Sequence, residues 1–512
     1  MADIYFIGID IGTSGAKAVL INVEGEIITT VTNNYPMQNP HPLWAEQNPE
    51  DWWKATKKSI SEIIQKNKIN AENIKGLGLT GQMHGLVSLD KNGNIVYPCI
   101  MWNDQRTADE CEEITSKIGF ENLLKIIGNP VLPGFTAPKL LWLKKNKPEA
   151  YNKINKILLP KDYIRFRLTN VFCTDLSDAS GTSLLNVEQR KWSDEILEKL
   201  NIPKDWLPNL LESVEICGSI TKEASDATGL SVGTPVIAGG GDQAAGGIGS
   251  GCIKEGVVSI VLGTSGVVFT QTDKFRNEPQ GKLHAFCHAV PGKWNLMGVT
   301  LSAAGSFKWY KETFFTKFSG SSEDPYDILT ESAGLVLPGS EGLIYLPYLS
   351  GERTPFSDPD AKGSFVGFTL RHSMAHFTRA VLEGVSYSLK DCFELISSMG
   401  IQADKIVISG GGAKSKLWRS IIADLFGVEI TTLSCTEGVP FGAAILAATG
   451  TGYYKNISEA CGSILKTGST TTPDKDKFKL YNDYYSAYKE LYPELKTTFK
   501  NILSITKKYY GN

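Results

Sequence analysis

Two apolar runs, residues 4–9 and 18–23, flank the polar stretch Asp10-Ile11-Gly12-Thr13-Ser14-Gly15. Their β-branched residues suit strands, so the pattern predicts a hairpin with a Gly-Thr-Ser-Gly tip. The same layout returns 251 residues later, in Ile260-Val261-Leu262-Gly263-Thr264-Ser265-Gly266-Val267-Val268-Phe269. After the first hairpin, the Pro- and Asn-rich residues 33–49 read as loop. Pro49-Glu50-Asp51-Trp52-Trp53 then opens a helix, with proline and acids in its first turn. Short apolar runs at 74–79, 86–89 and 97–102 predict strands, and the last ends in Asn103-Asp104-Gln105-Arg106. Helices are expected over 134–144 and from Pro160, with a polar turn at Ser177-Asp178-Ala179-Ser180-Gly181-Thr182 and surface-like helices across 192–230. Residues 234–238 read as a buried strand that runs into Gly239-Gly240-Gly241-Asp242. A long ordered loop is expected over 346–368. A further strand, 406–409, precedes Gly410-Gly411-Gly412-Ala413-Lys414-Ser415 and a helix over 417–426. Residues 436–450 are expected to form a helix whose start packs against that glycine turn, and the Tyr- and Lys-rich chain past 470 to form structural helices.

Length turns the repeat into an architecture. A chain of 512 residues exceeds the roughly 250–300 at which single cores stop growing. A repeat at half the chain length predicts two similar domains, 1–246 and 247–512, whose hairpins face one another across a cleft. The net charge of −3, without a dense basic run, gives no reason to expect nucleic acid as a partner. Nine cysteines without a Cys-x-x-Cys pair argue against a zinc ribbon or a disulfide scaffold and fit a reducing compartment. No apolar run approaches the roughly 18 residues of a membrane span, so a cytoplasmic protein without membrane contact is expected.

The candidate chemistry sits at the ends of the predicted strands. Glycine N–H groups and the hydroxyls of Thr13 and Ser14 suit phosphate, Lys17 adds positive charge, and Asp10 suits the Mg²⁺ that accompanies phosphate. The second copy carries Val261 where the first has Asp10, so a cation site is expected on one side only. His84 and Trp102 could meet a sugar's hydroxyls and apolar face, with further polar contacts from Asn103, Asp104 and Arg106. Each has a plainer reading: a structural histidine, a core tryptophan, a local Asp104–Arg106 ion pair. Asp242 is readable as a helix N-cap, yet three glycines are an excessive device for a cap. Gly76-Leu77-Gly78-Leu79-Thr80-Gly81 matches a dinucleotide fingerprint, but its glycines lie inside a predicted strand that no helix follows, which rejects it. His284 and His288 bracket Cys287 without a helical face or an adjacent carboxylate, so no metal site is expected there. Residues 410–415 form an anion-receptive strand–turn–helix that is not a Walker A loop.

Taken together, Asp10-Ile11-Gly12-Thr13-Ser14, the 134–146 block, and Gly363-x-Phe365-x-Gly367-Phe368 followed by His376-Phe377-x-x-Ala380-Val381-Leu382-Glu383 resemble the FGGY carbohydrate kinases. The resemblance covers nearly the whole chain. It implies an α/β fold of two ribonuclease-H-like domains of the actin/hexokinase ATPase type flanking a catalytic cleft, with ATP and Mg²⁺. Gly81-Gln82-Met83-His84-Gly85 with Trp102-Asn103-Asp104 is similar to the branch that phosphorylates D-xylulose. Glycerol-phosphorylating members carry Arg-Glu where Met83-His84 stands. The resemblance further implies Asp242 as general base, Asp10 on Mg²⁺, and Met83, His84, Trp102, Asn103, Asp104 and Gln243 toward the sugar. It gives Thr13, Ser14, Lys17, Gly263, Thr264 and Gly305 to the phosphates, and Gly411, Gly412 and Ala413 to the nucleotide. Gln243 departs from the Asn usual in that branch and leaves other acceptors open: ribulose, glycerol or gluconate. The expected partners are a sugar and ATP, with a homodimer left open.

Overall fold

The apolar runs that bracket Asp10 pair as strands buried on both faces, and the glycine-containing tip lets the chain reverse. The computed structural model describes residues 3–315, 324–435 and 437–511. Strands β1 (Tyr5–Ile11) and β2 (Gly15–Asn22) form the hairpin, with Asp10 opposite Lys17, and β3 (Ile27–Asn34) extends it. On the other side of β1 runs β4 (Ile74–Gly81), parallel, with Asp10 opposite Thr80. The sheet continues through β5 (Ile216–Ser219) and β6 (Pro235–Ile237) in the order β5-β6-β4-β1-β2-β3.

The second copy builds the same sheet. β7 (Val257–Leu262) and β8 (Gly266–Thr272) form its hairpin, followed by β9 (Trp294–Thr300), β10 (Lys405–Ser409), β11 (Ile430–Leu433) and β12 (Thr467–Thr471). Their order is β9-β8-β7-β10-β11-β12. In each sheet the first strand is antiparallel to the second and parallel to the fourth, and the outermost strand beyond is antiparallel. The repeat in the sequence is therefore a repeat of topology, the mixed sheet of a ribonuclease-H-like domain.

The chain packs as two interleaved units. Unit 1 comprises residues 1–253, 271–295 and 437–465, and unit 2 comprises 254–270, 296–436 and 466–512. In unit 1 the helix Gly438–Gly450 lies on β1 and β4 at unusually close range. A Cβ on Gly8 would stand 1.9 Å from the Pro440 carbonyl oxygen, and one on Gly78 1.9 Å from that of Ala443. The glycines that mimic a dinucleotide fingerprint are thus a helix seat: period two puts Gly76 and Gly78 on one face of β4, where the helix lies. Glycines also seat this helix on the unit 1 helix Asp242–Gly249, where a Cβ on Gly249 would stand 1.9 Å from the Gly438 carbonyl oxygen and one on Gly442 1.9 Å from that of Ala245; Thr436 lies outside the described residues. In unit 2 the 36-residue helix Lys475–Tyr510 docks Tyr481, Tyr485, Tyr488 and Tyr492 as one buried stripe. Tyr481 donates to Glu383 and Tyr485 to Asp391 on the helix Met374–Ser398.

Three local expectations are corrected. Residues 192–230 are not a run of helices: short helices at Asp194–Leu200 and Lys222–Thr228 flank strands at Asn209–Leu211 and Ile216–Ser219. Their exposed polar residues alternate with apolar ones at strand as well as helical spacing. The polar stretch at Ser177–Thr182 is not a turn but a buried helical segment, Leu176–Ala179 followed by Ser180–Thr182. The cysteines supply one crosslink after all: Cys173 and Cys217, 44 residues apart in sequence, are joined in a disulfide.

Candidate active site

The first hairpin tip is tied down at several points. The Gly12 amide donates to the Gly15 carbonyl at 3.1 Å, and Tyr35 donates its hydroxyl to the Gly12 carbonyl at 2.6 Å. The Gln47 amide donates to the Thr13 carbonyl at 2.8 Å. Trp102 Nε1 donates to the Thr13 hydroxyl at 3.1 Å, which brings an otherwise exposed indole against the tip. Lys17, also given to phosphate, forms an ion pair with Glu437, the residue before the Gly438–Gly450 helix.

Asp10 ends β1 with an orphaned atom. Its Oδ1 is buried and accepts no hydrogen bond among the described residues. Burial pushes its carboxyl up to about 7, the charge of Asp242 pushes the same way, and Lys17 partly opposes them. A second carboxylate near enough to raise Asp10 makes the place one that a cation would relieve. Asp242 is the first residue of the helix Asp242–Gly249 and its carboxyl is pushed up to about 6 by burial, opposed by the Gln243 amide that donates to it at 2.7 Å. It is not the N-cap; Gly241 holds that place. The preceding turn needs glycine: Gly239 has φ +75°, and a Cβ there would stand 1.9 Å from the Leu79 carbonyl oxygen. Gly240 and Gly241 extend along β4 opposite Thr80 and Gly81.

Met83 and His84 follow β4 directly. Met83 is buried, and its thioether packs on Gly241, where an added Cβ would stand 3.1 Å from the sulfur. His84 takes φ +72°, which a non-glycine residue adopts only when its surroundings enforce it. The enforcement is visible: the His84 carbonyl accepts from Thr136 at 3.0 Å and from buried Lys139 at 2.9 Å, Nδ1 donates to the Gly181 carbonyl at 2.7 Å, and the ring stacks on Phe135 at 4.4 Å. Burial drives the Lys139 ammonium down to about 7.

Asn103 is exposed beside Trp102, whereas Asp104 is fully buried. Arg106 clamps the Asp104 carboxylate from Nη2 at 2.6 Å and Nε at 2.9 Å, and the Ala45 amide donates to it at 2.6 Å. Arg106 also stacks 3.6 Å from the Trp44 ring and bonds Glu46 at 2.7 Å. The Asp104–Arg106 pair is thus a local ion pair.

Unit 2 gathers its own candidates. The Gly263 carbonyl accepts from the Ala304 amide at 2.8 Å, and that of Thr264 accepts from Ala303 at 2.9 Å and Gly305 at 3.1 Å. The start of the helix Ala304–Phe314 is thereby fastened to the hairpin tip. Gly410 lies over Leu262, where a Cβ would stand 2.5 Å from its carbonyl oxygen, and Gly412 packs on Leu262 and Trp418. Gly411 is exposed with open space above it. Arg419 donates to the Ala413 carbonyl at 2.5 Å and fixes the turn from below.

Sequence reasoning missed the supports. Tyr35, Gln47 and Lys139 hold the tip and His84 through single hydrogen bonds across 23 to 55 residues, and no spacing rule announces such partners.

Comparison with known proteins bears on the whole chain. The N-terminal domain model of the FGGY family of carbohydrate kinases matches residues 5–249, and the C-terminal domain model matches 258–451. The xylulose kinase of Escherichia coli (strain K12) is 40% identical over 491 residues, 96% of this chain and 99% of that protein. The xylulose kinase of Bacillus subtilis (strain 168) is 37% identical over 492 residues, 96% of this chain and 97% of its own. The solved structure of ligand bound xylulose kinase from Lactobacillus acidophilus has a TM-score of 0.91 at 28% identity, covering 97% of this chain and 99% of that one.

Proposed function

We propose that this chain, which belongs to the FGGY family of carbohydrate kinases, transfers the γ-phosphoryl group of ATP to the terminal hydroxyl of D-xylulose, yielding D-xylulose 5-phosphate and ADP. The observation that carries the reading is the full-length likeness to xylulose kinases, joined to a half-buried aspartate, Asp242, at the end of a glycine turn beside Met83.

Asp242 accepts the proton of the attacking hydroxyl. Phosphoryl transfer of this kind passes through a loose transition state, so alignment and charge neutralisation outweigh covalent chemistry. A carboxylate with pKa about 6 is ionised at neutral pH and takes the proton as the O–P bond forms. Met83 and His84 bind the sugar from the end of β4, Trp102 and Asn103 from the neighbouring strand end, and Gln243 from beside the base. Asp104 serves that group by holding Arg106 and the Ala45 amide. Thr13, Ser14 and Lys17 are assigned to the phosphates, together with Gly263, Thr264 and Gly305 of unit 2, and Gly411, Gly412 and Ala413 to the nucleotide. The orphaned Oδ1 of Asp10 and its like-charged neighbour fit Mg²⁺, directly or through water. The metal, when bound, would neutralise phosphate charge.

ADP release measured across D-xylulose, D-ribulose, glycerol and gluconate tests the acceptor. D-xylulose should give the highest kcat/KM; a higher value for any other acceptor would overturn the assignment. Asp242→Asn should lower kcat by about 10²–10⁴, and turnover near that of the unaltered enzyme would remove the base.

A further inference from the structure

The turn that delivers Asp242 is fastened to a buried cluster of charge that the proposed reaction does not use. Lys161, Asp162, Arg165, Asp175 and Asp178 are all fully buried. Lys161 Nζ lies 2.6 Å from Asp162, 2.8 Å from Asp175 and 3.0 Å from Asp178, and Arg165 lies 2.6 Å from Asp162. Three carboxyls face two cations, and burial holds the Asp178 carboxyl well above the usual carboxylate range. So many desolvated charges cost stability unless their geometry serves something else.

That geometry converges on the three glycines. Asp175 Oδ2 accepts the Ser177 hydroxyl, and the Ser177 oxygen in turn accepts the Gly241 amide at 3.0 Å. The same Oδ2 accepts the Ser213 hydroxyl at 3.2 Å, and the Ser213 carbonyl accepts the Gly239 amide at 3.0 Å. Arg165 donates to the Ala238 carbonyl. Ala238, Gly239 and Gly241 are thus gripped by side chains and backbone that meet on Asp175 or beside it. Glycines alone would leave this turn loose, because they carry the most backbone freedom to lose.

We propose that Asp175, acting through Ser177 and Ser213, is a positioning residue that fixes the backbone on which Asp242 is aimed. The role rests on Asp242 being the base. An error of about 1 Å in such a group costs on the order of a hundredfold in rate, which a single hydrogen bond to the preceding amide can prevent.

The test is Ser177→Ala, which removes the link and leaves the charge cluster whole. Its kcat should fall about ten- to a hundredfold, with KM for D-xylulose and for ATP held within about twofold. In an Asp242→Asn background the same change should leave the residual rate alone, since no base remains to be aimed. An unchanged kcat in Ser177→Ala, or an equal fall in the Asp242→Asn background, would overturn the proposal. Ser213→Ala gives the same pattern more weakly and carries the test if Ser177→Ala does not fold. Asp242→Asn at full turnover would sink the base itself; a slow Asp242→Asn with a fast Ser177→Ala would sink only the positioning role.

Discussion

The two Gly-Thr-Ser-Gly hairpins share a backbone and differ in what their strands carry. β1 places Gly8 and Asp10 where β7, at the same register, places Ser259 and Val261. Gly8 makes room for the helix Gly438–Gly450, and Asp10 brings a buried charge to the tip. β7 has neither; its tip carbonyls are instead capped by the amides that begin the helix Ala304–Phe314. The scaffold occurs twice in this chain, and at this position only the first copy carries a carboxylate.

Exchanging those side chains breaks the comparison where it matters most. Asp10→Val gives the first hairpin the second's residue. It should lower kcat by about 10²–10³, the scale on which a preorganised electrostatic group acts, while the reciprocal Val261→Asp restores nothing. Steady-state ADP release on purified variants measures both. If Asp10→Val keeps a tenth or more of the activity, the asymmetry of charge is not what separates the two tips.

The second exchange concerns pH. The Asp242 carboxyl stands at about 6 and that of Asp10 at about 7, both raised first by burial. A carboxyl whose folded value exceeds its unfolded one binds its proton more tightly when folded. Its charge therefore costs stability above the folded value, and the cost fades as pH falls to the unfolded value near ~4. Asp242→Asn should exceed the unaltered protein in stability by on the order of 2–3 kcal/mol at pH 8, the gain vanishing by pH 4. On the role proposed for Asp242, activity should run the other way and fall as the carboxyl is protonated below about pH 6. Urea unfolding at the two pH values decides it, and equal stability at pH 8 would show that the buried charge is not a cost.

A third exchange, Gly8→Ser, imports the side chain that β7 carries at Ser259. Its Cβ would meet the Pro440 carbonyl at 1.9 Å, so the helix must withdraw. A loss of about 1–3 kcal/mol is expected from such overpacking. Thermal unfolding reads it, and an unshifted midpoint would mean the seat is not as tight as Gly8 makes it.

These exchanges also measure what the chain reveals of itself. The hairpins, the glycine turns and the duplication are legible because local spacing writes them: alternation for strands, glycine runs for sharp reversals. Asp242 is legible for the same reason, as the first side chain after three glycines. What stays hidden is held by long-range burial. Ser177 reads as a polar turn residue because its polarity is local, whereas it is buried beside Gly241, which arrives from 64 residues away in sequence. The helix over residues 438–450 is seated by glycines that lie far from it in sequence, Gly8 of β1, Gly78 of β4 and Gly249, and those of β4 read at first as a nucleotide motif.

The smallest effect separates the two hydroxyls at the tips. Thr264 is exposed, and its carbonyl accepts from the Ala303 and Gly305 amides. Thr13 accepts Trp102 Nε1 through its hydroxyl, so that side chain ties the tip to the candidate sugar platform. Replacing threonine by valine keeps the shape and removes the hydroxyl. Thr264→Val should raise the KM for ATP by about two- to tenfold, the worth of one hydrogen bond, with the KM for sugar unchanged. Thr13→Val should raise both, because freeing the indole loosens the acceptor's neighbour as well. Initial-rate measurements with each substrate varied in turn distinguish the cases. Identical shifts from the two variants would mean the tips are equivalent toward the substrates, and the difference between the hairpins would then reduce to Asp10 alone.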